Sequence, residues 1–395
     1  MPRFEPFAAL RYSTHGSTDI TALTSAPYDV FDEDQRANYA AIDPHNIVLL
    51  DYPIDADGPG RYKLSADRLN EWRKNGHIVS DNSATFSIYR MTFTDEGGTE
   101  RTTVGVIGAL EVVDEGAGGV LPHERTTPKA KTDRLDLTIA THANLSPVWG
   151  LSLTSGLTAA LSEPGEVVAQ STDEEGVKHV LERVTDPARI ATISRLVSEN
   201  PVLIADGHHR YAISRTFRDQ SRAEGNPPGA ELTMTYVAEL VQEQLSVAAI
   251  HRLYNIDNAS ILDVLAAHYD ISDAGRVGPH TIGEMDSRGS LCLVSPDGTG
   301  KFLTPRADTF AGVREMDSAR LEHALRNTEH SVTYQHGVTE VVNKLGSGIA
   351  ASAILIRPVS LAEIRRTADT GELMPPKSTF FTPKLRTGMV MRDLN

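Results

Sequence analysis

The sequence predicts a mixed α/β fold of the α+β kind, with strands and helices alternating irregularly. Three observations lead there. Val202-Leu203-Ile204-Ala205 is a short apolar run suited to a buried strand, and it feeds a helical pattern through Ile213 and Phe217. Two further helices carry plain start signals, Asp186-Pro187 and Ser360-Leu361-Ala362-Glu363. Residues 84–93 and 102–110 read as two strands joined across Gly97-Gly98. The regular alternation of a doubly wound sheet is missing.

Taken in order, Ser65 is a natural N-cap for a helix running through Trp72 and stopping at Gly76. After the hairpin, Glu115-Gly116-Ala117-Gly118-Gly119 delivers the chain to Leu121-Pro122-His123-Glu124. Asp186-Pro187 opens a helix whose apolar stripe is Ile190, Ile193 and Val197, and Asn200-Pro201 ends it. From about Gly229 the chain reads as a second unit, so two domains are expected, 1–225 and 226–395. Ala353–Ile356 is strand-like, and the helix capped by Ser360 stops at Gly371. Pro375 and Pro376 then hold Lys377-Ser378-Thr379 in a non-helical conformation.

Composition narrows the function classes. The 40% hydrophobic and 23% charged content is that of a globular protein. Apolar stretches such as Ile47–Leu50 are too short to span a bilayer, and Met1-Pro2-Arg3-Phe4-Glu5 lacks the apolar centre of a secretion signal. No membrane partner and a cytoplasmic location are therefore expected. Cys292 is the only cysteine, which excludes an intrachain disulfide and a multi-cysteine metal site. A net charge of −15 with scattered basic residues argues against a nucleic-acid partner. It leaves room for a phosphate held by backbone N–H groups and a few cations.

Three clusters could carry chemistry. Asp206-Gly207-His208-His209-Arg210-Tyr211 puts a carboxylate, two imidazoles, a guanidinium and a phenol at a strand-to-helix turn. Gly207 allows close approach of backbone to a ligand, and Arg210 offers a planar fork matching phosphate oxygens. His208 and His209 could donate to the same anion or bind a metal. Helix N–H groups and dipole favour an anion there. The plain alternative is a histidine-rich surface turn. Glu124 alone would be a solvated loop carboxylate. Its company, Arg125-Thr126-Thr127, Lys129, Lys131 and Asp133-Arg134, suits a general base or the neighbour of a magnesium site. Lys377, Ser378 and Thr379 offer one cation and two hydroxyls for a carboxylate or phosphate. Rossmann and Walker glycine patterns are absent.

These clusters carry a resemblance. Together with Pro6-Phe7-Ala8-Ala9-Leu10-Arg11-Tyr12, Ala26-Pro27-Tyr28-Asp29-Val30 and Pro383-Lys384, they resemble the domain-of-unknown-function 1015 family over most of the chain. Pro122-His123-Glu124, Asp206–Arg210, and Pro376–Thr379 after Gly371-Glu372 are also similar to the archaeal free serine kinases. Those belong to a superfamily with the nucleotide-binding domain of ParB and sulfiredoxin. The resemblance implies a ParB/sulfiredoxin-like nucleotide-binding core with an added N-terminal segment and a C-terminal α/β domain. It implies a phosphotransferase moving a phosphoryl group from a nucleotide or polyphosphate donor to a small hydroxyl compound. Free L-serine, giving O-phosphoserine, is the acceptor it points to, with Mg²⁺ accompanying the donor. By the same resemblance Glu124, Asp206 and His209 are catalytic, with Glu124 the base. Gly207, His208, Arg210 and Tyr211 hold phosphate, and Lys377, Ser378 and Thr379 hold the acceptor.

There are departures. More than a hundred residues precede Pro122, and 82 positions separate Glu124 from Asp206. The kinases are more compact in both places, so the acceptor transfers less directly than the type of chemistry. A ParB-like nucleotide switch is one alternative, but no basic helix-turn-helix is evident. A hydrolase with His123, Glu124, His208 and His209 around a metal is another. Adjacent side chains diverge, which disfavours both histidines on one ion.

Overall fold

The computed structural model describes the chain except residues 15, 95–98, 125–130, 226–227 and 245, with only the backbone of residues 131, 132 and 228. The Gly97-Gly98 turn, Arg125-Thr126-Thr127 and Lys129 lie outside the described residues, as does the Lys131 side chain. The fold is mixed α/β, with twelve α-helices and four sheets among the described residues. None of those helices is long and apolar enough to cross a membrane.

Two compact units interleave in sequence. The first comprises Met1–Pro122, Thr126–Leu245 and Pro383–Asn395, and the second His123–Arg125 and Ser246–Thr382. The sequence reading draws one boundary after residue 225. In the structure the strand Leu232–Glu239 lies inside the large sheet of the first unit, paired with Glu100–Glu111 and Val148–Ser152.

That sheet has nine strands. Val202–Asp206 runs parallel to Val120–Leu121 and antiparallel to Val148–Ser152, while Phe86–Thr94 and Glu100–Glu111 form the expected antiparallel pair. Val202 through Ala205 are all buried, because both faces of the strand are covered. Pro187–Ser198 packs Ile193 and Val197 into the same core as Val202 and Ile204. Its cap forms as expected: the Asp186 carboxylate accepts from the Arg189 N–H at 2.7 Å. One helix departs from expectation. Arg61–Lys74 starts four residues before Ser65, after the turn Gly58-Pro59-Gly60, and Ser65 is buried within it.

The second unit is built on a six-stranded antiparallel sheet. Its strand Leu291–Val294 shows why the run is continuously apolar. Leu291 and Leu293 join one core with Ile261, Leu265, Leu321 and Leu325, while Cys292 and Val294 join another with Met285, Val341 and Leu345. Alternate side chains thus meet helices on opposite faces. Ser360 caps the helix Leu361–Thr370, which closes at Gly371 in a left-handed conformation.

Residues 383–395 leave the second unit and complete the first. The Arg386 N–H donates to the Tyr89 hydroxyl at 3.1 Å, and its guanidinium reaches Glu174 at 2.7 and 3.2 Å. Met391–Asp393 then pairs with Ala9–Tyr12 and with Ala143–Asn144. Gly388 makes this path possible: its φ is +94°, and a Cβ there would lie 3.0 Å from Ile47. Gly388→Ala should therefore destabilise the chain by about 1–3 kcal/mol through strain and overpacking. A lowered urea midpoint would register this, and an unchanged one would contradict the account of the segment.

Candidate functional site

In the first unit the turn at Asp206 is built by a strand that ends and a helix that begins. Gly207 has φ +82° and ψ +29° and precedes the helix His208–Ala223. A side chain there would be strained and would meet the Arg210 guanidinium at 3.0 Å. Asp206 emerges from the buried strand with one quarter of its side chain exposed. Its Oδ2 accepts from Arg210 Nη2 at 2.7 Å, and its Oδ1 accepts from Lys384 Nζ at 3.1 Å. Burial alone would push this carboxyl up. Lys384, Arg210 and His208 overcome it and hold the group well below the usual carboxylate range. Arg210 and Lys384 thus favour the charged form of Asp206.

Arg210 is anchored rather than extended. Its Nη1 donates to the Pro147 carbonyl while Nη2 holds Asp206. His208 and His209 are half-buried in the first helical turn. Tyr211 is drawn into the fold: its hydroxyl accepts the Val113 N–H and donates to the Glu111 carbonyl, each at 2.9 Å. Its part in the turn is to fix the helix, not to offer a phenol to a ligand.

A second ion pair stands near the first. Arg134 donates to the Asp51 carbonyl and to its Oδ1, the latter at 3.2 Å. The Arg134 guanidinium lies 3.4 Å over the Tyr28 ring. Burial raises the Asp51 carboxyl against the pull of Arg134 and Arg210. The sequence alone assigns no individual role to Lys384, Asp51 or Arg134. The signal for two of them was present, since Pro383-Lys384 and Asp133-Arg134 were among the motif residues. Asp51 gave none.

In the second unit Glu124 is surrounded by the loop after Gly371. Glu124 bridges Met374, and the Met374 N–H donates to the His123 carbonyl at 2.9 Å. The Ser378 N–H donates to Glu124 Oε2 at 3.2 Å, while the Ser378 hydroxyl donates to the Pro375 carbonyl at 2.7 Å. Thr379 Oγ1 lies 2.6 Å from His123 Nε2. Lys377 is exposed and has φ +56°, a conformation uncommon for a residue with a side chain. It turns the backbone so that the next N–H meets the carboxylate. Among the described residues, no group of three or more His, Cys, Asp or Glu side chains is placed to hold a metal ion.

Residues 4–323 match a family model described as a protein of unknown function, DUF1015. The chain belongs to the DUF1015 family. No curated protein matches this DUF1015 chain. Among solved structures it is similar to a conserved hypothetical protein from Pyrococcus furiosus, at 12% identity, covering 67% of this chain and 87% of that one with TM-score 0.36. It is similar to a free serine kinase variant in complex with AMP, at 11% identity, 67% and 84% coverage and TM-score 0.39. SbnI with a C-terminal truncation, from Staphylococcus aureus, is similar at 12% identity, 72% and 81% coverage and TM-score 0.37.

The Asp206 cluster makes a pH prediction for the DUF1015 chain. A carboxyl whose folded pKa lies below its unfolded value stabilises above the unfolded value, about 3.9. That contribution is lost as pH falls through the folded value. Urea melts of wild type and Asp206→Asn should differ by a constant amount at neutral pH, with wild type more stable. The gap should narrow below about pH 4. A gap that widens on acidification would refute the assignment.

Proposed function

We propose that this DUF1015 chain is a phosphotransferase that moves a phosphoryl group from a nucleotide or polyphosphate donor to the hydroxyl of free L-serine. One observation carries the reading: a left-handed Gly207 opens a helix beside a carboxylate that two cations keep ionised. The first N–H groups of such a helix have no intrahelical acceptor and favour an anion. A fixed array of charges and N–H groups is what phosphoryl transfer asks of a protein, because the charge spreads over the equatorial oxygens in the transition state. The motif resemblance supplies the acceptor side.

In this reading Glu124 takes the proton of the serine hydroxyl as its oxygen bonds to phosphorus. The bond from phosphorus to the donor's leaving oxygen breaks, and the electron pair leaves with the donor. The Ser378 N–H orients Glu124 for that task, and His123 with Thr379 fixes the loop that carries it. Lys377 supplies the cation for the serine carboxylate. Ser378 acts through its backbone, since its hydroxyl is committed to Pro375. At the turn, His208 and His209 donate to donor phosphate oxygens, and Arg210 acts through its charge and through Asp206. Both Asp206 oxygens already accept from cations, so the turn offers no open carboxylate pair for magnesium. Mg²⁺ would be held mainly by the donor's own phosphates.

Phosphorus NMR with ATP, ADP and pyrophosphate against L-serine and ethanolamine tests the reading. The expected product is O-phosphoserine, with ethanolamine a far poorer acceptor because it lacks a carboxylate. Equal use of both would remove the amino-acid part, and transfer to neither would sink the phosphotransferase. Glu124→Gln should lower kcat by about a hundredfold or more with donor affinity kept. Near-normal turnover would take Glu124 out of the mechanism.

A further inference from the structure

A cleft in the first unit is lined by Asp51, Arg134, Asn144, Ser146, Arg210 and Ser214, with room of about 40 Å³ for water-sized molecules. A single water takes about 10–15 Å³ on this measure, so the space holds about three. That is the size of one phosphate or carboxylate group and too small for a nucleoside.

Its polar lining joins the donors of Arg134, Arg210 and Asn144 to one carboxylate, Asp51, which is paired with Arg134. Arg134 is pinned by the Tyr28 ring on one face and by Asp51 at Nη1. Only 8% of its side chain is exposed, and the buried Nε has no hydrogen-bond partner among the described residues. The Asp133 carboxylate is an ion-pair neighbour at 3.6 Å, too distant to accept that proton. Leaving a buried charged donor unsatisfied is costly, and such a group calls for a ligand or a water. The Asn144 amide oxygen accepts the Met234 N–H at 2.9 Å, which leaves its NH₂ as the other end. The short strand ending at Asn144, and Ser146 just after it, follow His142, which has φ +46°. Backbone strain of this kind is stored where a segment must present particular groups. Asp29 and Asp133 influence the same guanidiniums, but neither lines the cleft.

We propose that this cleft is an oxyanion receptor for one phosphate-sized group, bound through Arg134, Asn144 and Ser146 beside Arg210. Binding needs no turnover. The proposal rests on the phosphotransferase reading only for the source of the anion, which would be the donor's terminal phosphate or a free one.

Calorimetric titration of the full chain with inorganic phosphate at low ionic strength tests it, with Arg134→Lys and Ser146→Leu as variants. Arg134→Lys keeps the charge and loses the fork, and should weaken phosphate about tenfold or more. Ser146→Leu fills the cleft without touching a charge and should abolish binding while the fold, followed by circular dichroism, persists. It keeps the test decisive should the buried Arg134 variant fail to fold. Competition by ATP would identify the donor as the source, and phosphate binding unaffected by ATP would identify a free oxyanion; both support the receptor. No binding by wild type, or equal binding by Ser146→Leu, overturns it. A chain that binds phosphate here yet transfers nothing to serine would lose the phosphotransferase reading alone. Transfer with phosphate affinity indifferent to Ser146→Leu would lose the receptor alone.

Discussion

A carboxylate lifted away from bulk water must be matched by positive charge, and Asp206 is matched twice. Much of the first unit can be seen as the means of bringing that about. A strand buried on both faces carries Asp206 to its end, a glycine reverses the backbone, and the helix returns Arg210 four positions later onto the same group. The other cation comes from far along the chain, on a segment fixed by Arg386 and closed by a strand. Removing either cation would leave the carboxylate with a single ion-pair partner against the cost of its burial.

Glu124 is placed by different means. It receives a backbone N–H from a loop whose own side chains are tied down, Ser378 to Pro375 and Thr379 to His123. The strain sits at Lys377, whose backbone turns so that the next amide can reach the carboxylate. Proline at 375 and 376 limits what else that loop can do. Two acids that look alike in sequence therefore have distinct surroundings. One is bonded to two cationic side chains, and the other receives a peptide N–H beside the His123 ring.

How much of this could be read from the residues differs by element. Local signals were reliable where one segment decides its own conformation. Asp186-Pro187, Ser360 with Gly371, and the apolar run before Asp206 all behave as their chemistry dictates. Ser65 misled because a capping-type residue can also be buried inside a helix, and the Gly-Pro-Gly turn before it was the stronger signal. Tyr211 misled for a similar reason: a phenol next to polar residues at a turn was counted with them, while helical geometry turns it inward to Glu111 and Val113. The partnerships of Lys384 with Asp206 and of Arg134 with Asp51 and Tyr28 join residues 178, 83 and 106 positions apart. No periodicity or cap encodes such pairings. Only the tertiary fold does.

The strand Met391–Asp393 lies against Ala9–Tyr12, so the small sheet of the first unit joins segments that are far apart in sequence. During synthesis the whole of Ser246–Thr382 emerges from the ribosome before that strand does. The second unit can therefore collapse on its own local contacts while the first still lacks a strand and Lys384. Until then Asp206 lacks Lys384, and the edge of Ala9–Tyr12 that receives Met391–Asp393 lacks its partner. Pairing of such long sequence separation is intrinsically slow, and an open edge invites association with other chains. The first unit thus depends for its closure on residues 383–395, which are synthesised only after the whole of Ser246–Thr382.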